Sequence, residues 1–108
     1  MKLLTKTLQK QLPALYSQES VKDPLVRAHF FNPSGQGDWW ITEGSVEGDD
    51  YIMFGLCDLG MGFPELGYVS MSELQQVRVP PFGLGIERDK FWTRKPLSEV
   101  RAGVEARS

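Results

Sequence analysis

The chain has 108 residues, a length that fits one domain and permits one modest hydrophobic core. Hydrophobic residues make up 41% and charged residues 24%, which is the balance of an ordinary globular protein. The formal net charge of -2 argues against a strongly basic nucleic-acid binder and against a disordered acidic tail, and the single cysteine, Cys57, excludes an internal disulfide and a thiolate metal cluster.

The N-terminal segment predicts a short amphipathic helix. Leu4, Leu8 and Leu12 recur every four residues, Thr5 is placed to cap the helix, and Pro13 is placed to end it. Polar residues interrupt this stripe, so the continuous run of about 7–15 apolar residues of a signal peptide is absent. No stretch approaches the roughly 18 apolar residues of a membrane span. With one cysteine, the chain is therefore expected in the cytoplasm, without membrane contact.

The next part of the chain predicts strands separated by glycine-rich and acidic turns. Strand patterns occupy residues 25–31, 39–42, 51–57 and 65–69, with a short edge strand at 87–92. In the first of them, Val26, Ala28 and Phe30 share one face. Residues 51–57 are apolar on both faces, so they are expected to form the central strand, with a bulge or close backbone approach at Gly55.

Two more helical segments follow. Ser70 and Glu73 have the S-x-x-E spacing of a capping box, which predicts a helix from about Met71 to Gln76. Residues 96–100 predict one helical turn, after which the last eight or so residues are expected to fray. Together these elements predict a single α+β domain over residues 1–108: a mostly antiparallel sheet of four to five strands, packed by the N-terminal helix and a second short helix.

Several motifs resemble a known family in their order and spacing. The motifs are LLTK and LPALYSQE at the start, FGL and ELGYVSMSEL in the middle, and GIERD and KPLSEV near the end. From about Leu3 to Val100 the chain resembles domain-of-unknown-function family 2958, a family of short bacterial proteins. The resemblance implies an origin on plasmids, conjugative elements and other mobile elements, and a compact α+β domain. It implies no catalytic residues, so no site residues carry over.

Candidate catalytic side chains are few. His29 is the only histidine, and neither an orienting acid nor a nucleophile can be assigned to it from the sequence. Cys57 ends an apolar strand, which is typical of an inert buried thiol. We therefore expect no enzyme activity and no cofactor, and keep a small enzyme using His29 with a nearby carboxylate as an alternative.

A metal site is not expected either. Glu47, Asp49 and Asp50, with Asp58, can in principle gather around a divalent cation. However, Gly and Asp are common in hairpin turns, so E-G-D-D between two strands also fits such a turn. The D-x-D-x-D spacing of a calcium loop is absent.

The charges are ordered along the chain. Residues 1–36 carry a net charge of +3, residues 37–75 carry eight acidic and no basic side chains, and residues 76–108 carry +3. Either the basic ends fold against the acidic middle, or an acidic face is left open to a basic partner. Direct binding of nucleic acid is not expected, because Trp39 and Trp40 lie in the acidic section, where phosphates are repelled.

These observations favour a non-enzymatic accessory or adaptor protein of a bacterial mobile genetic element that acts through protein–protein contact. An inhibitor of a host defence nuclease is an alternative that rests on the mobile-element context alone. A homodimer is also left open. The expected contact residues are Glu47, Asp49, Asp50, Trp39, Phe82, Glu87, Arg88 and Asp89.

Overall fold

The computed structural model describes residues 2–107, and within them it has three helices and seven strands. In chain order these are α1 (Lys6–Gln11), β1 (Leu25–Val26), β2 (Ala28–Phe31), β3 (Asp38–Glu47), β4 (Asp50–Asp58), β5 (Glu65–Ser70), α2 (Met71–Gln76), β6 (Glu87–Arg88), β7 (Lys95–Pro96) and α3 (Leu97–Arg107). Five strands form an antiparallel sheet in the order β5-β4-β3-β2-β6, and β1 pairs with β7. The predicted α+β class and antiparallel sheet are confirmed.

The β3–β4 hairpin contains the sharpest irregularity of the sheet. Its register shifts between Ile41 and Glu43, opposite Gly55. A Cβ atom on Gly55 would lie 1.9 Å from the carbonyl oxygen of Trp40, so glycine is required there. The predicted close backbone approach is confirmed. The predicted central position of residues 51–57 is wrong, because β3 occupies the middle of the sheet and β4 lies beside it.

Two of the predicted strands are shorter than their sequence patterns. The stretch 25–31 breaks at Arg27, which separates β1 from β2 and donates its backbone N–H to the carbonyl of Ile41 at 2.8 Å. The edge strand predicted at 87–92 ends after Arg88, because the chain then forms a turn in which the carbonyl of Asp89 accepts the N–H of Trp92 at 3.4 Å.

Each face of the sheet has its own core. Helices α1 and α2 cover one face, which buries Leu3, Leu8, Leu12, Ala28, Phe30, Ile41, Tyr51, Met53, Val69, Met71, Leu74 and Ile86. Helix α3 covers the other face, where the buried residues are Val26, Trp40, Leu56, Val100 and Val104. The two short helices begin as predicted: the Thr5 hydroxyl accepts the N–H of Leu8 at 3.1 Å, and the Ser70 hydroxyl accepts the N–H of Glu73 at 3.3 Å.

The C-terminal helix is longer than predicted: the expectation of one turn at residues 96–100 followed by a frayed end is wrong. Helix α3 has 11 residues and continues to Arg107; the final residue, Ser108, lies outside the described residues. Val100 and Val104 stand one turn apart and are both buried against the second face, which stabilises the added turns. Within residues 2–107, no helix is long and apolar enough to cross a membrane.

The start of α3 is held by a residue far away in the sequence. The Asp23 carboxylate accepts hydrogen bonds from the backbone N–H of Ser98 at 2.9 Å and from its hydroxyl at 2.6 Å. These bonds, the side-chain one first, lower the pKa of Asp23. A carboxylate at this position satisfies an amide that the first turn leaves unpaired.

Candidate functional site

The histidine lies in an aromatic environment on the face that α3 covers. His29 of β2 stands opposite Trp40 of β3, and the two rings stack with centroids 5.2 Å apart and 6° between their planes. The rings of Phe31 and Trp92 lie 5.7 and 5.3 Å away. The His29 side chain is 14% exposed, so these rings restrict its orientation while one edge still reaches solvent.

Two carboxylates flank the imidazole ring and complete what we call the His29 cluster (His29, Asp38 and Asp89). Nε2 lies 2.7 Å from Oδ1 of Asp38, and Nδ1 lies 3.2 Å from Oδ2 of Asp89. Asp38 is the first residue of β3 and Asp89 directly follows β6. A neutral imidazole carries one N–H, so both contacts are hydrogen bonds only when both ring nitrogens are protonated.

The His29 cluster is poorly arranged for general base catalysis. A base needs an unprotonated nitrogen within reach of the substrate, whereas each nitrogen of His29 already faces a carboxylate. A cavity of about 340 Å³ borders the cluster, and among residues 2–107 no serine, threonine, cysteine or lysine side chain lines it. The geometry favours a cross-link that joins β2, β3 and the segment after β6.

Sequence reasoning could not assign the two acids to His29. Asp38 reaches the ring through the register of β2 and β3, and Asp89 through the pairing of β2 with β6, 60 residues later. Asp89 was expected at a partner contact, but its carboxylate is engaged within the fold. No local motif encodes either contact.

In the acidic turn that was expected to contact a partner, two carboxylates are exposed to solvent and one is hydrogen-bonded within the fold. Glu47 and Asp49 are exposed at the β3–β4 turn. Asp50 instead accepts hydrogen bonds from the Ser70 hydroxyl and from both the N–H and the hydroxyl of Ser72, the last two at 3.0 Å. The bond from Ser70, followed by the one from the Ser72 amide, lowers the pKa of Asp50 from 3.8 to about 2. Asp50 therefore extends the cap of α2.

The other predicted contact residues do not lie on one surface. Trp39 packs half-buried against the first core, Phe82 is exposed in the loop after α2, and Glu87 and Arg88 form an edge strand. Glu47 lies eight residues from Trp39 along β3, about 26 Å at 3.3 Å per residue. The acidic turn is thus far from the end of the sheet where β6 pairs. Among residues 2–107, no group of three or more His, Cys, Asp or Glu side chains is arranged to hold a metal ion.

The lone thiol is shielded. Cys57 is half-buried near the end of β4, and burial raises its pKa to about 11. Because the thiolate is the nucleophilic form, this side chain is unreactive near neutral pH.

A buried carboxylate that the sequence reasoning missed holds a segment that we call the strap (residues 14–20). Glu43 is 4% exposed, and its two oxygens accept the backbone N–H groups of Tyr16 at 3.1 Å and Gln18 at 2.7 Å. The backbone of Tyr16 has φ +69, a left-handed conformation that these bonds help to maintain. The Tyr16 ring lies 6.3 Å from that of Tyr68, so the strap is positioned against β5.

Exposed apolar side chains are concentrated beside the strand β5. The loop between β4 and β5 carries Leu59, Met61 and Phe63, of which the last two are 83% and 79% exposed. Leu66 and Tyr68 follow on β5 and are also exposed. We call these five residues the apolar rim. Folded chains rarely leave adjacent large apolar side chains in water unless a partner covers them.

The strand next to the apolar rim has an open edge. β5 pairs with β4 and, within residues 2–107, with no other strand. Alternate residues of an antiparallel edge strand point their N–H and C=O groups outward, where they are available for pairing. A groove of about 380 Å³ is lined by residues of β5 and α2. Glu65 and Glu73 contribute carboxylates to it, and in the described part of the chain no lysine, arginine or histidine lines it.

Comparison with known proteins identifies the kind of chain without assigning it an activity. The model of a family described as "Protein of unknown function (DUF2958)" matches residues 3–106, which is nearly the whole chain. The resemblance inferred from the motifs is confirmed. No curated protein and no solved structure matches the chain.

Proposed function

We propose that this chain, which belongs to the DUF2958 family of proteins of unknown function, is a non-enzymatic adaptor or accessory protein that acts by binding another protein. Its setting in the cytoplasm, on a plasmid or other mobile genetic element of a bacterium, is part of the proposal. The mobile-element setting rests on what the family resemblance implies. The inhibitor of a host defence nuclease would be one such protein-binding role, supported by that setting alone.

The observation that carries the proposal is the position of the apolar rim beside an open sheet edge. Met61 and Phe63 are almost fully exposed at the loop tip, and Leu66 and Tyr68 continue the apolar surface along β5. β5 contains neither lysine nor proline, the residues that commonly protect an edge strand from pairing. An edge that is unprotected and flanked by apolar side chains suits the addition of a partner strand.

The chemistry of the groove favours a basic, extended partner segment. Main-chain hydrogen bonds to β5 would supply affinity, and alternate side chains of the segment would contact the apolar rim. Glu65 and Glu73 line the groove, and residues 37–75 carry no lysine or arginine, so basic side chains are attracted there. A second copy of this chain would bring two such acidic sections together, which disfavours the homodimer at this edge.

Neither the His29 cluster nor the Cys57 thiol is arranged for catalysis. Both ring nitrogens are engaged by carboxylates, and the Cys57 thiol has a pKa raised to about 11 by burial. The two side chains that the sequence offers most readily for nucleophilic or base chemistry are therefore both occupied or shielded.

The test is affinity capture from nuclease-treated bacterial lysate with three forms of the protein. They are wild type, Met61→Ser/Phe63→Ser in the apolar rim, and Phe91→Ser as the control, since Phe91 is 92% exposed outside the rim. All three must give the same circular dichroism spectrum. Capture of one defined protein by wild type and control, and its loss with the rim variant, supports the proposal.

Two results would contradict it. Equal capture by the rim variant would exclude the apolar rim as the contact, and the acidic turn would be tested next with Glu47→Lys/Asp49→Lys, leaving Asp50 in place as part of the α2 cap. Absence of any specific partner of the wild-type protein would remove the adaptor function.

A further inference from the structure

A second feature of the molecule is basic rather than acidic. A cleft of about 440 Å³ is lined by α1, by Arg27 and the start of β2, and by β6 with the segment that follows it. Among residues 2–107, three of its lining side chains are cations, Arg27, Arg88 and Lys90, and one, Asp89, is a carboxylate. The volume lies in the range of small-molecule sites. Its three cations come from the two basic sections of the chain, residues 1–36 and 76–108.

Arg27 is the strongest indication of a ligand. It is half-buried, its Nε atom is buried without a hydrogen-bond partner, and its guanidinium forms no ion pair within residues 2–107. A buried N–H donor without an acceptor is unfavourable, because it has lost its hydrogen bonds to water. This cost is imposed by the fold, because the backbone of Arg27 is fixed to Ile41 at the sheet irregularity. An anion in the cleft would offset part of it by pairing with the guanidinium charge.

The other charged residues of the cleft are already oriented. Nη1 of Arg88 donates to the carbonyl oxygens of Leu3 at 3.1 Å and Lys2 at 3.4 Å, which fixes the direction of its side chain. The Asp89 carboxylate faces His29 through one oxygen and accepts the N–H of Phe91 through the other at 3.0 Å. Among residues 2–107, the one negative group that lines the cleft therefore has partners within the fold, and three cations line the cleft with it.

We propose that this cleft binds the phosphate group of a small phosphorylated molecule. Guanidinium groups match phosphate oxygens with paired hydrogen bonds, and the exposed Lys90 adds a further positive charge to the lining. The Trp92 ring forms an apolar wall for the rest of the ligand. A nucleic-acid strand fits less well, because residues 37–75 would repel its continuing phosphates. This site is independent of the partner contact at β5.

The experiment is a set of separate titrations of the full chain with sodium pyrophosphate, inorganic phosphate and adenosine monophosphate. The ionic strength is held constant, and binding is detected by heteronuclear NMR. The expected result is saturable binding of at least one of them, with a shift of the Arg27 Nε–H resonance. Arg27→Gln and Lys90→Gln should each weaken binding by about ten-fold. Lys22→Gln, which removes an exposed charge outside the cleft, should leave the affinity unchanged.

The proposal has clear contrary results. It is overturned if none of the three phosphates binds saturably, or if Lys90→Gln and Arg27→Gln both bind as tightly as wild type. Lys90 is exposed, so the Lys90→Gln result stands even if Arg27→Gln fails to fold. A third contrary result is that a single-stranded oligonucleotide binds more tightly than pyrophosphate and loses that binding in the same two variants. That result would overturn the small-molecule proposal and identify the ligand of the cleft as nucleic acid.

Discussion

Replacing Glu43 by glutamine is expected to lower the free energy of unfolding by about 1.5–3 kcal/mol. The Glu43 carboxylate is 4% exposed and accepts two backbone N–H groups, from Tyr16 and Gln18. A glutamine side chain retains one oxygen and so satisfies one of the two donors. Its NH₂ group then faces the other backbone N–H, which leaves a buried donor without an acceptor and removes one charge-assisted hydrogen bond.

The measurement is urea unfolding followed by circular dichroism, with thermal unfolding as a second readout. In a domain of about this size the loss corresponds to a fall in Tm of roughly 10 °C. Glu47→Gln is the matched control, because Glu47 lies on the same strand but is exposed, and it should unfold like wild type. If Glu43→Gln and Glu47→Gln unfolded alike, the carboxylate would not be what fixes the strap.

Three further predictions follow from individual contacts. Gly55→Ala should destabilise the fold by about 3 kcal/mol in the same urea assay, because the added Cβ would meet the Trp40 carbonyl. Gly67→Ala is the control and should be tolerated, because no atom lies within 4 Å of the added Cβ. Equal effects of the two variants would refute the close approach. The pKa of Asp50 in the folded protein is lowered to about 2, so its contribution to the free energy of unfolding is complete above the ordinary value of 3.8 and is lost as the pH falls towards 2. Asp50→Asn should therefore flatten the pH dependence of the free energy of unfolding between these values. An unchanged pH dependence would count against the cap. Cys57, with its pKa raised to about 11, should react slowly with Ellman's reagent at pH 8 in the folded protein and quickly in urea; fast reaction without urea would show that the thiol is not shielded.

Features that depend on neighbouring residues were predicted well from the sequence. Thr5 and Ser70 cap their helices through amides three residues further on, so the spacing alone identifies them. Gly55 interrupts an apolar strand, and that interruption correctly indicated a close backbone approach.

Features that depend on distant residues were not predictable. The length of α3 reflects Val100 and Val104 packing on the sheet, and its start reflects Asp23, 75 residues before Ser98. The same reason applies to the candidate sites. The carboxylates around His29 and the cap formed by Asp50 come together through strand register, which no local motif specifies. The apolar rim is recognisable because folding leaves it exposed.

Amide hydrogen exchange can show whether a partner segment binds along the open edge of β5. Exchange is measured for the protein alone and with the captured partner. Outward-facing amides of residues 65–70 should exchange rapidly in the free protein and slowly in the complex, while the exposed turn at Glu47 and Asp49 should be unchanged. Unchanged exchange along β5, with protection appearing elsewhere in the complex, would contradict it.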